Sequence, residues 1–264
     1  MKYHIEDYVI AIPSYKRVDI LRDKTLRYLQ MCKIDPKKIF IFVADKNEKY
    51  EYIQNLPKYY NKIVVGERGI RNIRWIIRNY FGEGEYLISI DDDIDYLINK
   101  GVKKGVPLLN LNSFIISSFQ TAIDNQCRMW GIGSHSNPFF LRDGYTIGLR
   151  YIISTFYGLK NTHDKNTYIE IGEKEGASRS ILFYLADGRV MKINSVCMKT
   201  SFFGNAGGLQ DVSGKNRINT KIKEAGEWLI KKYPQFVYFK KNSKRYDLAL
   251  RMLKPVASKN HKWW

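Results

Sequence analysis

The chain has 264 residues, 44% hydrophobic and 27% charged, the balance of a globular protein able to bury a sizeable core. No stretch approaches the roughly 20 consecutive apolar residues of a membrane span. Residues 1–7 carry two acids and lack a signal-peptide pattern, so a cytoplasmic protein is expected. Lys and Arg outnumber Asp and Glu by 44 to 26, a formal charge of +18, and that field attracts polyanions. Nucleic acid is the first partner implied, an anionic membrane surface the second.

In chain order, the first 95 or so residues alternate strand and helix signals, as in a parallel α/β unit. Residues 8–12 (YVIAI) form a strand closed by Pro13, and residues 18–31 carry Val18, Leu21, Leu26 and Leu29 at helical spacing. Residues 37–44 (KKIFIFVA) are a buried strand, followed by a helix over 45–54. A third strand covers 63–65, a helix 70–80, and a fourth strand 86–90 that runs into Asp91, Asp92 and Asp93. Beyond Ile94 the pattern becomes irregular. Helices are expected over 109–123, 177–185 and 221–232, and strands at 129–133, within 145–158 and at 189–196. Asp187-Gly188 supplies a turn, and a glycine-rich loop spans 204–208. Without a repeat or linker, one domain over 1–264 is expected, with a nucleotide-binding half to about residue 100 and an acceptor half after it.

Cys32, Cys127 and Cys197 form no CxxC pair and read as buried reduced thiols. The aspartate triplet is more telling, because ligands of open α/β sheets bind outside the carboxyl ends of strands. Strand alternation would turn Asp91 and Asp93 to one face and Asp92 elsewhere. Hard carboxylate oxygens suit Mn2+ or Mg2+, which can also bridge a diphosphate. A calcium loop is excluded, since Tyr96 stands at the required glycine and Val102 at the required glutamate.

Four segments in order, IAIPSYKR at 10–17, FVAD at 42–45, GIRNIR at 69–74 and SIDDDI at 89–94, resemble GT-A glycosyltransferases. The resemblance implies an α/β fold with a GT-A-like, Rossmann-type mixed sheet flanked by helices, here with a basic C-terminal extension. It implies that Pro13, Ser14, Tyr15 and Arg17 line a nucleotide pocket and that Asp45 contacts base or ribose. Arg71 and Asn72 would reach the diphosphate-sugar, joined by Asp91 and Asp92, while Asp91 and Asp93 hold the metal. His261 is the candidate for a late metal ligand. More narrowly the chain is similar to the TET/JBP-associated glycosyltransferases, phage enzymes that add sugars to hydroxymethylated pyrimidines in DNA. WGIGSHSNPFF at 130–140, EIGEKE at 170–175 before ADGRVMKIN, and GGLQ at 207–210 carry that likeness. The implied partners are a nucleotide-sugar, a UDP-sugar in this reading, and double-stranded DNA with modified bases.

Inverting transfer to a hydroxyl needs a proton acceptor, and Glu173 and Glu175 are the candidates, with Asp164 and Glu170 behind them. A retaining reaction needs no such base. His135 and His163 are the histidines to place relative to a site. The tail alternates cations and rings, and Lys240, Lys241, Lys244 and Arg245 are candidates for phosphate contact. Tyr246, Leu248, Leu250 and Leu253 could equally pack a last element. Two other functions remain open on these residues: transfer to a cell-envelope glycan, lipid or protein, and a metal-dependent nuclease or non-catalytic DNA-binding protein.

Overall fold

The computed structural model describes residues 3–101, 106–133, 137–200, 209–243 and 245–257, with side chains of the last long helix described from Thr220 onward. Strand β1 is Val9–Pro13, β2 Ile39–Val43, β3 Lys62–Val65 and β4 Tyr86–Ile90. They pair in parallel in the order β3-β2-β1-β4. Strands β1, β2 and β4 are almost wholly apolar and buried because both sheet faces are covered there, whereas edge strand β3 begins at the exposed Lys62. From β1, Ile10 and Ile12 enter the main core, while Val9 and Ala11 enter a second cluster on the opposite face.

Helices sit on both faces. The stretch 18–31 is helical throughout, as α1 (Val18–Leu21), a π turn (Arg22–Leu26) and α2 (Arg27–Met31). With α3 (Lys46–Asn55) and α5 (Leu111–Asp124) it covers one face. Helix α4 (Ile70–Tyr80) covers the other, burying Ile73 and Ile77 together with Arg74 and Arg78. Its spacing places those four side chains on one stripe.

The second half continues the same sheet. Strands β6 (Met129–Ile132), β7 (Tyr145–Gly148), β8 (Phe156–Lys160) and β9 (Val190–Ile193) extend it as β4-β8-β6-β9-β7. Strand β8 runs antiparallel to β4 and β6, so the sheet is mixed. Helix α6 (Glu175–Asp187) packs on this half, ending at Gly188 in the left-handed region, with φ of 73°. Its last residue, Asp187, pairs inside the protein with Arg128, at 2.9 Å from Nε.

Three readings of the sequence are corrected here. The irregular stretch after Ile94 contains β5 (Ile94–Asn99), and the single strand expected at 189–196 is two, β9 and β10 (Val196–Thr200). Strands β5 and β10 form an antiparallel ribbon outside the main sheet, so neither shows the uninterrupted apolar run of a central strand. Nor is the segment after α7 (Leu209–Lys232) an appended basic extension. Strands β11 (Val237–Phe239) and β12 (Leu248–Leu250) form a hairpin whose Val237, Leu248 and Leu250 pack with Leu229 and Ile181. The chain then runs along β7, where Leu149 N donates to Leu253 O at 3.1 Å, and past α6, where Val256 N donates to Gly188 O at 3.0 Å. The apolar residues of the tail build a core, and its cations face outward. Cys32, Cys127 and Cys197 are free and buried, as expected.

Gly158 of β8 is fixed by close approach: a Cβ there would lie 2.2 Å from the indole of the fully buried Trp130. Gly158→Ala should therefore lower unfolding free energy by about 1–3 kcal/mol, read as a shifted urea midpoint. An unchanged midpoint would mean that Trp130 can move.

Candidate functional site

The strand order reverses beside β1, where β2 and β3 lie on one side and β4 on the other, and that switch point opens a crevice at the carboxyl ends of the strands. Ser14, just past β1, donates to Asp92 at 2.7 Å across this crevice. Arg17 reaches Asp92 at 3.2 Å and Asp93 at 3.5 Å. Tyr52 of α3 stands behind, 2.8 Å from the Ser14 hydroxyl, and accepts from Arg17 N at 3.0 Å. Glu48 closes the wall by accepting from Lys16 N and Ala44 N. Lys16 occupies the left-handed region, with φ of 52°, a conformation non-glycine residues hold only where their surroundings impose it. Tyr15 is half-buried, and the Arg68 guanidinium lies 5.3 Å from its ring centroid.

The three aspartates are not on a strand. Strand β4 ends at Ile90, and Asp91, Asp92 and Asp93 make the turn into β5. Period-two alternation therefore does not set their directions, which corrects the expectation that Asp91 and Asp93 share a strand face. Thr25 fixes the turn instead, donating to Asp91 O at 2.7 Å and accepting from Ile94 N at 3.0 Å. Asp91 turns to Arg74, at 2.7 Å, and Asp92 turns inward. With 4% exposure, Asp92 braces Ser14 and Arg17.

Sequence reasoning missed the centre of this arrangement, Arg74. It is 3% exposed and donates to Ser89 Oγ at 2.6 Å, to Asp91, and to Glu175 at 3.1 and 3.2 Å. The signal was present: Arg74 follows Ile70 by four residues and adjoins Ile73, on the buried stripe. Arg71 lies on the exposed side, donating to Glu170 O at 3.3 Å and resting over Trp75, and Asn72 donates to Arg68 O. Helical rotation thus turns Arg74 inward to the acids and leaves Arg71 at the surface.

Glu175 opens α6 and is fully engaged. Although burial pushes its carboxyl up, Arg74 and Arg179 hold it below the ordinary range. It anchors Arg74, which corrects its candidacy as proton acceptor. Glu173, two residues earlier, is half-buried and has no hydrogen-bond partner among the described residues. Burial, then the charge of Glu175, raises its pKa. Gly172 beside it lies against Ile70 at the start of α4, and Lys174, with φ of 57°, holds the turn. Other candidates lie elsewhere. Asp45 caps α3 at the crevice rim, its side chain accepting from Glu48 N at 2.9 Å. Asp164 caps a short turn, Glu170 pairs with Lys232, and His163 meets the carbonyls of Arg78 and Phe81. Lys240, Lys241 and Arg245 are exposed on the β11–β12 connection. His135, Lys244 and His261 lie outside the described residues.

The donor set was tested against a divalent cation. Among the described residues no group of three His, Cys, Asp or Glu side chains gathers as a ligand set. Burial pushes Asp91 up to about 6 and Asp92 up to about 7, against the pull of Arg74 and Arg17 respectively. Asp91 and Asp93 are each met by a guanidinium, Arg74 at 2.7 Å and Arg17 at 3.5 Å, so a cation held there would have to draw most of its shell from phosphate oxygens and water.

Neither a protein-family model nor a curated protein sequence matches the chain. Among solved structures, S. aureus TarS is similar at a TM-score of 0.50 and 12% identity, over 87% of this chain and 40% of that one. Residues 1–349 of TarS are similar at 0.47 and 13% identity, and the same piece in complex with UDP at 0.47 and 16%, each over 74% of this chain and 58% of theirs. The chain thus spans about half the length of the structures it resembles. The fold is GT-A-like: a mixed sheet flanked by helices. No helix among the described residues is long and apolar enough to cross a membrane.

Removing Arg74 takes the guanidinium from Asp91 and leaves Glu175 with Arg179 alone, and breaking a buried pair from one side costs about 3–5 kcal/mol. Arg74→Met should lose that much, and Arg74→Met with Glu175→Met should lose less than the sum of the single changes. Additive losses in urea denaturation would show that the two do not share one network.

Proposed function

We propose that this chain is a metal-dependent glycosyltransferase that moves a sugar from a UDP-sugar to the hydroxyl of a hydroxymethylated pyrimidine in double-stranded DNA. The observation that carries the reading is the meeting of the β1 loop with the turn after β4, through Ser14, Arg17 and Asp92, at the switch point of a GT-A-like sheet. A nuclease gives no role to the ordered joining of the β1 loop to α3 through Tyr52 and Glu48.

In this reading Pro13, Ser14, Tyr15 and Asp45 frame the nucleoside, and Arg17 and Arg68 supply positive charge beside the crevice. Bound at Asp91 and Asp93, Mn2+ or Mg2+ would act as a Lewis acid that offsets the charge growing on the departing diphosphate. Arg74 aims Asp91 at that position from behind, and Glu175 keeps Arg74 in place. Glu173 takes the proton of the acceptor hydroxyl as the new glycosidic bond forms, as inverting transfer requires. Support for the DNA acceptor comes from the +18 charge, the exposed Lys240, Lys241 and Arg245, and the sequence likeness.

The test is incubation with a panel of nucleotide-sugars, Mn2+ and hydroxymethylated DNA, reading nucleoside masses for an added hexose or pentose. Sugar appearing on envelope glycans and never on DNA would reject the acceptor. Asp93→Ala should weaken Mn2+-dependent UDP binding about 10–100-fold, measured by calorimetry, and unchanged binding would reject the metal site. Glu173→Gln should lower kcat by about 10²–10⁴ while donor binding persists. Because the Glu173 carboxyl is raised above its ordinary 4.5 and must be ionised to accept a proton, the acidic fall in wild-type kcat should lie above that pH and vanish in the variant.

A further inference from the structure

The most exposed large apolar side chain among the described residues is Phe139, at 84%, and its neighbour Phe140 is 59% exposed. Two adjacent phenylalanines facing water are a far stronger anomaly than one scattered apolar residue. They are also held stiffly. The Asn137 side chain accepts from Phe139 N at 3.0 Å, Pro138 opens a single 3-10 turn, and Phe140 N donates to Asn137 O. On the far side Leu141 is buried against Ile98 and Cys197, and Arg142 N donates to Asn194 O at 3.1 Å. The rings meet edge to face at 5.5 Å and 85°, so Phe140 buttresses Phe139 and leaves its faces open.

The pair lies at the end of a path from the aspartate turn. Ribbon β5–β10 leaves that turn, with Thr200 Oγ1 donating to Asp93 O at 2.9 Å. Tyr96 pairs with Lys199 across the ribbon and Ile98 with Cys197, so all four share one face. Leu141 seats the phenylalanine turn on the far end of that face. From Ile94 to Ile98 the ribbon rises about 13 Å, less than the width of a duplex. A cation adjoins the turn, the exposed Arg142. Lys100 is close by and pairs with Asp143.

We infer that Phe139 and Phe140 form a wedge that enters the base stack of duplex DNA, with a phosphate resting on Arg142, while the Tyr96–Lys199 face leads the target nucleotide toward Asp93. The inference rests on the DNA-acceptor reading above. Apolar side chains inserted between base steps unstack and kink a duplex, and they draw their binding energy from the contacts the bend creates. A base so loosened can leave the stack, as an enzyme acting on it needs. Charge complementarity selects the occupant, since the cation beside the rings matches a phosphate of the strand.

The experiment uses the full chain and a duplex carrying 2-aminopurine, whose fluorescence rises on unstacking. Wild type should raise that fluorescence several-fold on binding. Phe139→Ala/Phe140→Ala should still bind with an unchanged salt slope but give no rise. Arg142→Ala should weaken binding and reduce the salt slope by about one phosphate contact. Both changes are at exposed residues, and thermal melting checks that the fold survives. A fluorescence rise retained in the double variant would overturn the wedge and leave the DNA reading standing. Failure of wild type to bind duplex at low salt would remove the DNA reading and the wedge with it. Loss of binding to phosphatidylglycerol vesicles in the double variant, with DNA unstacking untouched, would assign the pair to a membrane surface instead.

Discussion

Arg74 ties the carboxyl end of β4 to the first turn of α6 by bridging Asp91 and Glu175 inside the protein. A buried guanidinium with two acids contributes little net stability, because desolvating the charges offsets most of their attraction. What it fixes is direction. Helix α4 carries Arg74 to the acids, Ser89 and the Ser154 carbonyl complete its hydrogen bonds, and Arg179 holds the far side of Glu175. That network joins the two halves of the chain beside the β4–β8 pairing, and it sets the direction of the Asp91 side chain on the turn that Thr25 holds.

A second network meets the first at the aspartate turn. Asp92 holds Ser14 and Arg17, and Tyr52 and Glu48 tie the β1 loop to α3. Asp93 also meets Arg17, so all three aspartates face guanidiniums or hydroxyls brought from other elements. Burial, and after it the neighbouring acids, keeps the pKa values of Asp91 and Asp92 high.

Strand β8 runs antiparallel between β4 and β6, and it carries the sheet past the switch point without another parallel crossover. Outside that sheet, ribbon β5–β10 and the turn at 138–140 form a platform beside the aspartates. The hairpin β11–β12 and the chain to Val256 close the opposite side, leaving Lys240, Lys241 and Arg245 in solvent. Apolar residues placed the tail, and its charges were left over for the surface.

The sequence by itself determined the parallel half. Strands buried on both faces must be apolar throughout, and helices on a sheet must show a stripe, so β1 to β4 and the helices between them are legible as local patterns. Asp45 as a helix cap and the aspartates at a strand's end were legible in the same way, because each depends on neighbours within a few residues. Tertiary structure alone decided that Asp92 faces inward, that Arg74 and not Arg71 reaches the acids, and that Glu175 is occupied while Glu173 is not. It also decided that the ribbon strands β5 and β10 leave the sheet and that Leu248 and Leu250 fold the basic tail into a core. Asp92 turns on Ser14, 78 residues away, and Arg74 on Glu175, 101 residues away, and local periodicity carries no record of distant partners.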